Sequence, residues 1–244
     1  MTTPNPLERL LHDLVIANRI LAHEGVLDAY GHVSVRNPLR PDHFFLSRSR
    51  SPELVTREDI MEFDYAGNPT PGDTRPPYLE RFIHGGIYEA RPDIHAVVHS
   101  HADEVLPFTI ANRVLQPVIH TASDIGSLVS VWDIRDKFGD TNMLVVNPEQ
   151  GRDLAQCLGP DRVVLMRGHG FAAGAPSLFQ VVKTAVYLPL NARTLKEGLQ
   201  LGEVKTLSPG EVAVRATTDP DAPASRRAWE YWCRRINMTP YWEL

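Results

Sequence analysis

His99-Ser100-His101 closes the apolar run Ala96-Val97-Val98. Side chains two apart on a strand point to one face, so both imidazoles can meet a single ion at about 2.0–2.1 Å. A third histidine, His169, stands between Gly168 and Gly170 directly after the apolar run 162–166, where flanking glycines let the backbone approach a bound group. Two strands thus bring three imidazoles to loop mouths, the donor set of an open metal site. Glu80 and His84 are four apart in a segment with helical spacing and so share a face. There Glu80 can be a ligand able to leave the metal, or an acid/base. Ser47-Arg48-Ser49-Arg50-Ser51 adds two guanidiniums among hydroxyls, and arginine's planar fork matches a carboxylate bidentately.

The 244 residues carry 25 Lys+Arg against 30 Asp+Glu, a net charge of −5, and ten histidines beside two cysteines. Cys157 and Cys233 are too few for a disulfide framework or a thiolate site, so a metal must be held by nitrogen and oxygen. Imidazole suits Zn2+, Fe2+ and Co2+, and a neighbouring carboxylate admits Mn2+. The net-acidic balance argues against a nucleic-acid partner, and Arg226, Arg227, Arg234 and Arg235 read as the solvated face of a helix. No apolar run approaches the ~20 residues of a membrane span. Met1-Thr2-Thr3-Pro4-Asn5-Pro6 has neither a basic nor an apolar signal region, which points to the cytoplasm.

The elements that must position these groups can be read from spacing. Leu7, Leu10, Leu11, Leu14 and Leu21 mark a first helix, with Pro6 in its first turn and Gly25 past its end. Short β-like runs follow at 33–35, 44–46 and 60–63. A helix is predicted over 78–90, a strand over 96–100, a helix from Asp103, strands over 117–120 and 143–147, and a strand over 162–166. Asn147-Pro148 reads as a helix cap and first residue, and Ser177 with Gln180 has capping-box spacing at the head of a long helix that Pro189 should kink. Residues 206–225 read as a linker, after which Trp229, Trp232, Cys233 and Ile236 form one helical stripe. The division expected is a catalytic domain over 1–205, then a linker and C-terminal helix over 206–244 that covers the core or a neighbouring subunit. Helices and strands alternate without a strict βαβ rhythm, which predicts a layered α/β protein with a mixed sheet.

Taken in order, Glu80, His84, Ile87-Tyr88, Arg91-Pro92-Asp93, the run 96–101 ending His99-Ser100-His101, and Gly168-His169-Gly170 resemble the class II aldolase/adducin family. Gly31-His32-Val33-Ser34-Val35-Arg36 is similar to that family's N-terminal Gly-Asn-x-Ser-x-Arg motif. The resemblance implies a three-layer α/β/α sandwich with a mostly antiparallel central sheet, and a homotetramer with sites between subunits. It implies His99, His101 and His169 as metal ligands and Glu80 as an acid/base that also touches the metal, with Zn2+ or Mn2+ as the family's usual ion.

The departures carry information too. Sugar-phosphate aldolases of the family have Asn where His32 stands, Thr-Gly where 47–51 runs, Ser-Ser before the glutamate in place of Tyr78-Leu79, and a proton-donating tyrosine where Thr121 stands. The Gly-His-x-Ser run, the Ser-Arg-Ser-Arg loop and Arg227-Ala228-Trp229-Glu230-Tyr231-Trp232-Cys233 are similar to a branch that decarboxylates aromatic dicarboxylates such as dihydroxyphthalate or a hydroxypyridine dicarboxylate. On that resemblance the expected enzyme is a metal-dependent carbon–carbon lyase acting on a small aromatic carboxylate. Glu80 and His32 are its expected catalytic groups, and Ser34, Ser47, Arg48, Arg50, His84 and Tyr231 are expected to bind substrate. The competing expectations are an aldolase for an unphosphorylated hydroxy-keto acid and a non-catalytic adducin-like interaction domain.

Overall fold

A computed structural model describes residues 5–215, 219 and 222–244. Residues 1–4, which belong to the N-terminal reading, and residues 216–218, 220 and 221 of the predicted linker lie outside the described residues.

Helix α1 (Pro6–His23) begins as its sequence requires: Asn5 caps it by accepting from the Leu7 amide at 3.1 Å, with Pro6 in the first turn. Gly25 follows its end at φ 73°, a conformation that favours glycine. Strands β1 (His32–Arg36), β2 (His43–Ser47) and β3 (Ile60–Asp64) form a meander. Helix α2 (Arg81–Ala90) leads to β4 (Ala96–Ser100), then to the short α3 (Leu106–Ile110). Strand β5 (Ser130–Trp132), α4 (Ile134–Phe138), α5 (Pro148–Leu158), β6 (Val163–Met166) and β7 (Gly170–Ala175) follow. Helix α6 (Leu178–Leu201), α7 (Pro209–Arg215) and α8 (Pro223–Arg235) complete the chain apart from short turns.

The strands make one seven-stranded sheet in the order β3-β2-β1-β4-β7-β6-β5, antiparallel throughout except for the β5–β6 pair. Alternation sorts its side chains into two cores. Val33, Val35, Val98, Ala173 and Ala175 pack under α1, α6 and α8, whereas Phe44, Phe63, Val97, Val164 and Ala172 pack under α2 and α5. The result is the three-layer α/β/α sandwich with a mostly antiparallel mixed sheet. Close approach of α2 to α5 depends on Gly86 and Gly151, since a Cβ on either would collide with the other helix's backbone.

Several sequence expectations need correction. The helix expected from Tyr78 begins at Arg81, because Pro76-Pro77 stays extended and Pro77 pairs with Arg48 just past the end of β2. Residues 117–120 are not a strand: Val118 donates its amide to the Asn191 side chain at 2.8 Å and the chain then enters a 3-10 turn at His120–Ile125. Nor are 143–147, where the amides of Met143, Leu144, Val145 and Val146 all go to side chains. The sheet edge is taken instead by β5, unforeseen because three residues are too short for an alternation signal. Strand β7, Gly-Phe-Ala-Ala-Gly-Ala, was hidden by its composition, since glycine and alanine are depleted in strands. The predicted linker contains α7. Pro189 lies inside α6, which continues to Leu201. The aromatic stripe of α8 buries Trp229, Trp232 and Cys233 in the α1/α6 core.

Candidate metal centre

The centre forms where β4 runs out beside the β6–β7 turn. His99 is the cross-strand partner of His32 on β1 and of Ala172 on β7, which places its ring on the α2 face. His101 lies just beyond the strand end. His169 is carried on a turn in which Gly168 has φ 62° and gives its amide to Thr109 at 2.9 Å. Gly170 must be glycine for a different reason: a Cβ there would strike the Ser100 carbonyl. Glu80 occupies the cap position of α2, so its side chain leaves the helix end toward the strand ends instead of sharing a helical face with His84.

These placements bring Glu80, His99, His101 and His169 into one cluster that can hold a metal ion. The Nε2 atoms of His99 and His101 are 3.0 Å apart and those of His101 and His169 3.1 Å apart, while Glu80 Oε2 lies 3.4 Å from His99 Nε2 and 3.5 Å from His169 Nε2. Donors bound tetrahedrally at about 2.0–2.1 Å are separated by about 3.3–3.4 Å, so the spacing is that of a coordination shell. The outer nitrogens set the tautomers. His99 Nδ1 faces the Phe171 carbonyl at 3.0 Å, His169 Nδ1 the Met143 carbonyl at 3.1 Å, and His101 Nδ1 the Asp28 carboxylate at 3.1 Å. Each partner only accepts, so each Nδ1 carries the proton and each Nε2 turns a lone pair inward. Three lone pairs facing one another repel unless a cation shares them; the donor set therefore fits a divalent metal. Glu80 Oε1 accepts from the Val145 amide at 2.9 Å, which fixes the carboxylate and leaves Oε2 for the centre. Burial alone would raise the Glu80 pKa, but His99 and His169 outweigh it and hold the carboxyl well below its usual range. His99 is fully buried and His101 is one-fifth exposed, so the centre opens on the His101 side.

His32, Ser34 and His84 lie behind the ligands. His32 and Ser34 alternate with Val33 and Val35 on β1 and so face α2, where His84 and Tyr88 stand one turn apart. His32 Nδ1 is 2.6 Å from His84 Nε2, Ser34 Oγ is 2.6 Å from His84 Nδ1, and Ser34 Oγ is 2.8 Å from the Tyr88 hydroxyl. Ser34 and His84 are both fully buried, and their side chains meet His32 and Tyr88. The His32 ring lies between Tyr78, at 4.5 Å, and His99, at 5.1 Å between centroids.

Burial first, then the charge of His99, lowers the His84 pKa to about 3, and burial first, then His84, holds His32 well below its usual value. Both are neutral in the folded protein near pH 7. The unfolded chain takes up those protons near pH 6.5, so stability is full above that pH and is lost as pH falls toward about 3. Melting temperature measured against pH should fall through this window, and His84→Gln should flatten the fall. An identical slope in that variant would show that His84 contributes nothing to it.

The Ser-Arg-Ser-Arg loop is organised by one carboxylate. Arg48 Nε lies 2.6 Å and Arg50 Nε 3.2 Å from the two oxygens of Asp59, so two positive charges share one negative charge. The terminal guanidinium nitrogens of both arginines have no partner among the described residues. Tyr78 ties this loop to the centre: its hydroxyl donates to the Arg50 carbonyl and accepts from Ser47 Oγ at 3.5 Å, and its ring lies on His32. Ser47 is fully buried against Tyr78. Tyr231 lies apart from the histidines within the chain. It lines a cavity of about 520 Å³ with Thr121, Lys183, Tyr187, Arg227 and Trp232, on the opposite face of the sheet from the histidines, because α8 packs on α1 and α6.

Asp28 and Asp59 are neighbours of the centre and of the loop that sequence reasoning missed, and it gave no contact to Tyr78 or Tyr88, which it named only as motif positions. Asp28 alone had a local signal: Asp-x-x-Gly is an Asx-turn pattern, and its carboxylate indeed accepts from the Tyr30 and Gly31 amides at 2.9 and 2.8 Å.

Residues 12–195 match the Class II Aldolase and Adducin N-terminal domain. Decarboxylase tropJ of Talaromyces stipitatus is 35% identical over 240 residues, covering 89% of this chain and 90% of that one. The 3,4-dihydroxyphthalate decarboxylase of Arthrobacter keyseri is 28% identical over 238 residues, covering 92% of each. Among solved structures, an aldolase II superfamily protein from Pseudomonas syringae is 20% identical, superposes with a TM-score of 0.76, and covers 97% of this chain and 94% of that one.

Proposed function

The chain belongs to the class II aldolase and adducin family, and on that premise we propose that it is a divalent-metal-dependent decarboxylase of a hydroxylated aromatic carboxylate, dihydroxyphthalate or a hydroxypyridine dicarboxylate being the type. The observation that carries this reading is the inward convergence of three Nε2 lone pairs and Glu80 Oε2 beside two arginines that keep their terminal nitrogens for an anion. Decarboxylase relatives support the reaction class.

His99, His101 and His169 would hold the metal, with Glu80 a further ligand able to leave it; Zn2+ or Mn2+ would be preferred, with Fe2+ or Co2+ compatible. When bound it supplies Lewis-acid stabilisation of negative charge on a substrate oxygen. The chain's own groups do the rest. Glu80, a carboxylate at rest, takes the proton of the hydroxyl ortho to the departing group onto Oε2 and hands it to the ring carbon that bears the carboxylate. The C–C bond then breaks, CO2 leaves, and the electron pair returns to the ring oxygen as the ring regains aromaticity; solvent supplies the last proton. His32 hydrogen-bonds the oxygen on which charge builds. Arg48 and Arg50 hold the second carboxylate and so choose which one departs.

Arg48→Ala and Arg50→Ala should each raise KM for the dicarboxylate about 10–100-fold, the scale of one charge-assisted bond, with metal content unchanged. Steady-state kinetics decide it; an unaltered KM in both variants removes the loop from substrate binding. The reaction itself is tested by measuring CO2 release from ortho-hydroxy aromatic dicarboxylates with protein of known metal content, beside condensation of pyruvate with aldehydes. Condensation without CO2 release supports an aldolase instead, and protein that retains no metal supports an interaction domain.

Residues 1–205 are assigned as the catalytic unit and 206–244 as its covering segment, within a cytoplasmic homotetramer. Among the described residues no helix is long and apolar enough to cross a membrane.

A further inference from the structure

His32, His84, Ser34 and Tyr88 are joined by three short hydrogen bonds in series, and each has one hydrogen to give. Three arrangements are conceivable. In one, Ser34 Oγ accepts from both His84 Nδ1–H and the Tyr88 hydroxyl, which leaves the serine hydrogen without an acceptor among the described residues. In the other two the bonds all run one way. If His32 donates inward from Nδ1, then His84 donates to Ser34, Ser34 donates to the Tyr88 oxygen, and the phenol hydrogen must find another acceptor. Among the described residues the phenol has no side-chain acceptor except Ser34 Oγ, and the Val97 backbone that bonds its oxygen acts as a donor. The opposite direction satisfies every group. Tyr88 donates to Ser34, Ser34 to His84 Nδ1, and His84 Nε2–H to His32 Nδ1, so the only hydrogen left on His32 is on Nε2, the ring nitrogen turned away from His84. All four side chains are almost completely buried.

We propose that Tyr88, Ser34 and His84 are positioning residues that lock His32 in its Nε2–H tautomer, so that it meets the substrate as a fixed hydrogen-bond donor and not as an acid that gives its proton away. Were His32 to lose that proton, the chain could replace it only by shifting every hydrogen one place and leaving a phenolate at Tyr88. Burial raises the Tyr88 pKa far above its ordinary value, which opposes that outcome. The ring-carbon proton must therefore travel by Glu80. The catalytic part of this inference rests on the decarboxylase reading; the tautomer does not.

The test is long-range 1H–15N NMR on zinc-loaded, 15N-histidine-labelled protein, with the His32 signals identified by their loss in His32→Gln. The wild type should show His32 protonated on Nε2 alone. Ser34→Ala removes the central link and should give a mixture of tautomers, with kcat lowered about tenfold, KM changed less than twofold and zinc content unchanged. A wild-type His32 protonated on Nδ1 or on both nitrogens overturns the proposal, and this measurement decides even if the serine variant does not fold. A tautomer unchanged in Ser34→Ala overturns the role of the chain, whatever happens to kcat. A changed tautomer with unchanged kcat overturns its part in catalysis. If the wild-type tautomer is as expected while no ortho-hydroxy aromatic acid releases CO2, the proposed reaction fails and the tautomer assignment stands.

Discussion

Protein carrying His169→Ala should retain almost no metal after gel filtration and should show turnover at background. His169 is the donor that the β6–β7 turn brings to the cluster, and no neighbour on the turn can take its place: Gly168 and Gly170 flank it, and the turn is pinned through Thr109. Its loss removes one inward lone pair and also frees the Met143 carbonyl that set its tautomer. Altering a group that merely orients a ligand typically costs 10–100-fold in metal affinity, so deleting the ligand itself should cost more. Metal content by elemental analysis, read beside turnover, checks this. One equivalent of metal with normal turnover in the variant would remove His169 from the centre.

Glu80→Gln should lower kcat by about 10³-fold while the protein still binds metal at saturating concentration, within the range by which positioned acid–base groups accelerate reactions. The carboxamide introduced there can keep the oxygen that accepts from Val145, which turns its NH2 toward three histidines that offer only lone pairs. The variant thus keeps three imidazole ligands but has no group able to receive a proton. Elemental analysis and single-turnover kinetics on the same sample separate the two effects, and normal turnover would end the acid–base assignment. Loss of metal at every concentration would instead make Glu80 a ligand before anything else.

The nearness of His99 and His101 was legible because strand alternation converts His-x-His into a shared face without any knowledge of the fold. Helix starts were legible for the same kind of reason: Asn147 and Ser177 accept from the amides three residues on, at 3.0 and 3.2 Å, as their cap chemistry dictates. What stayed hidden depends on contacts distant in sequence. Nothing near residue 80 says that its carboxylate will meet a loop 65 residues on, and an Arg-rich loop does not announce that Asp59 will share its charge. Position 84 shows the limit of spacing arguments. Helical periodicity paired it with Glu80, whereas the helix begins one residue after Glu80 and turns His84 into the core. The place of Tyr231 was hidden for a related reason: spacing marks an apolar stripe on its helix but not the sheet face that the stripe covers.

The segment between α4 and α5 has no strand or helix of its own over 143–147, yet Glu80 grips its Val145 amide and its Met143 carbonyl grips His169. Order in that stretch and occupancy of the centre are therefore two readings of one equilibrium. Whatever fraction of molecules has this stretch unfastened is a fraction in which two of the four donors lack their supports, and apparent metal affinity is diluted by that fraction. Substitutions in 141–147 that touch neither metal nor substrate thereby gain a route to metal affinity through conformational populations, and a bound ion shields the stretch from local unfolding in return.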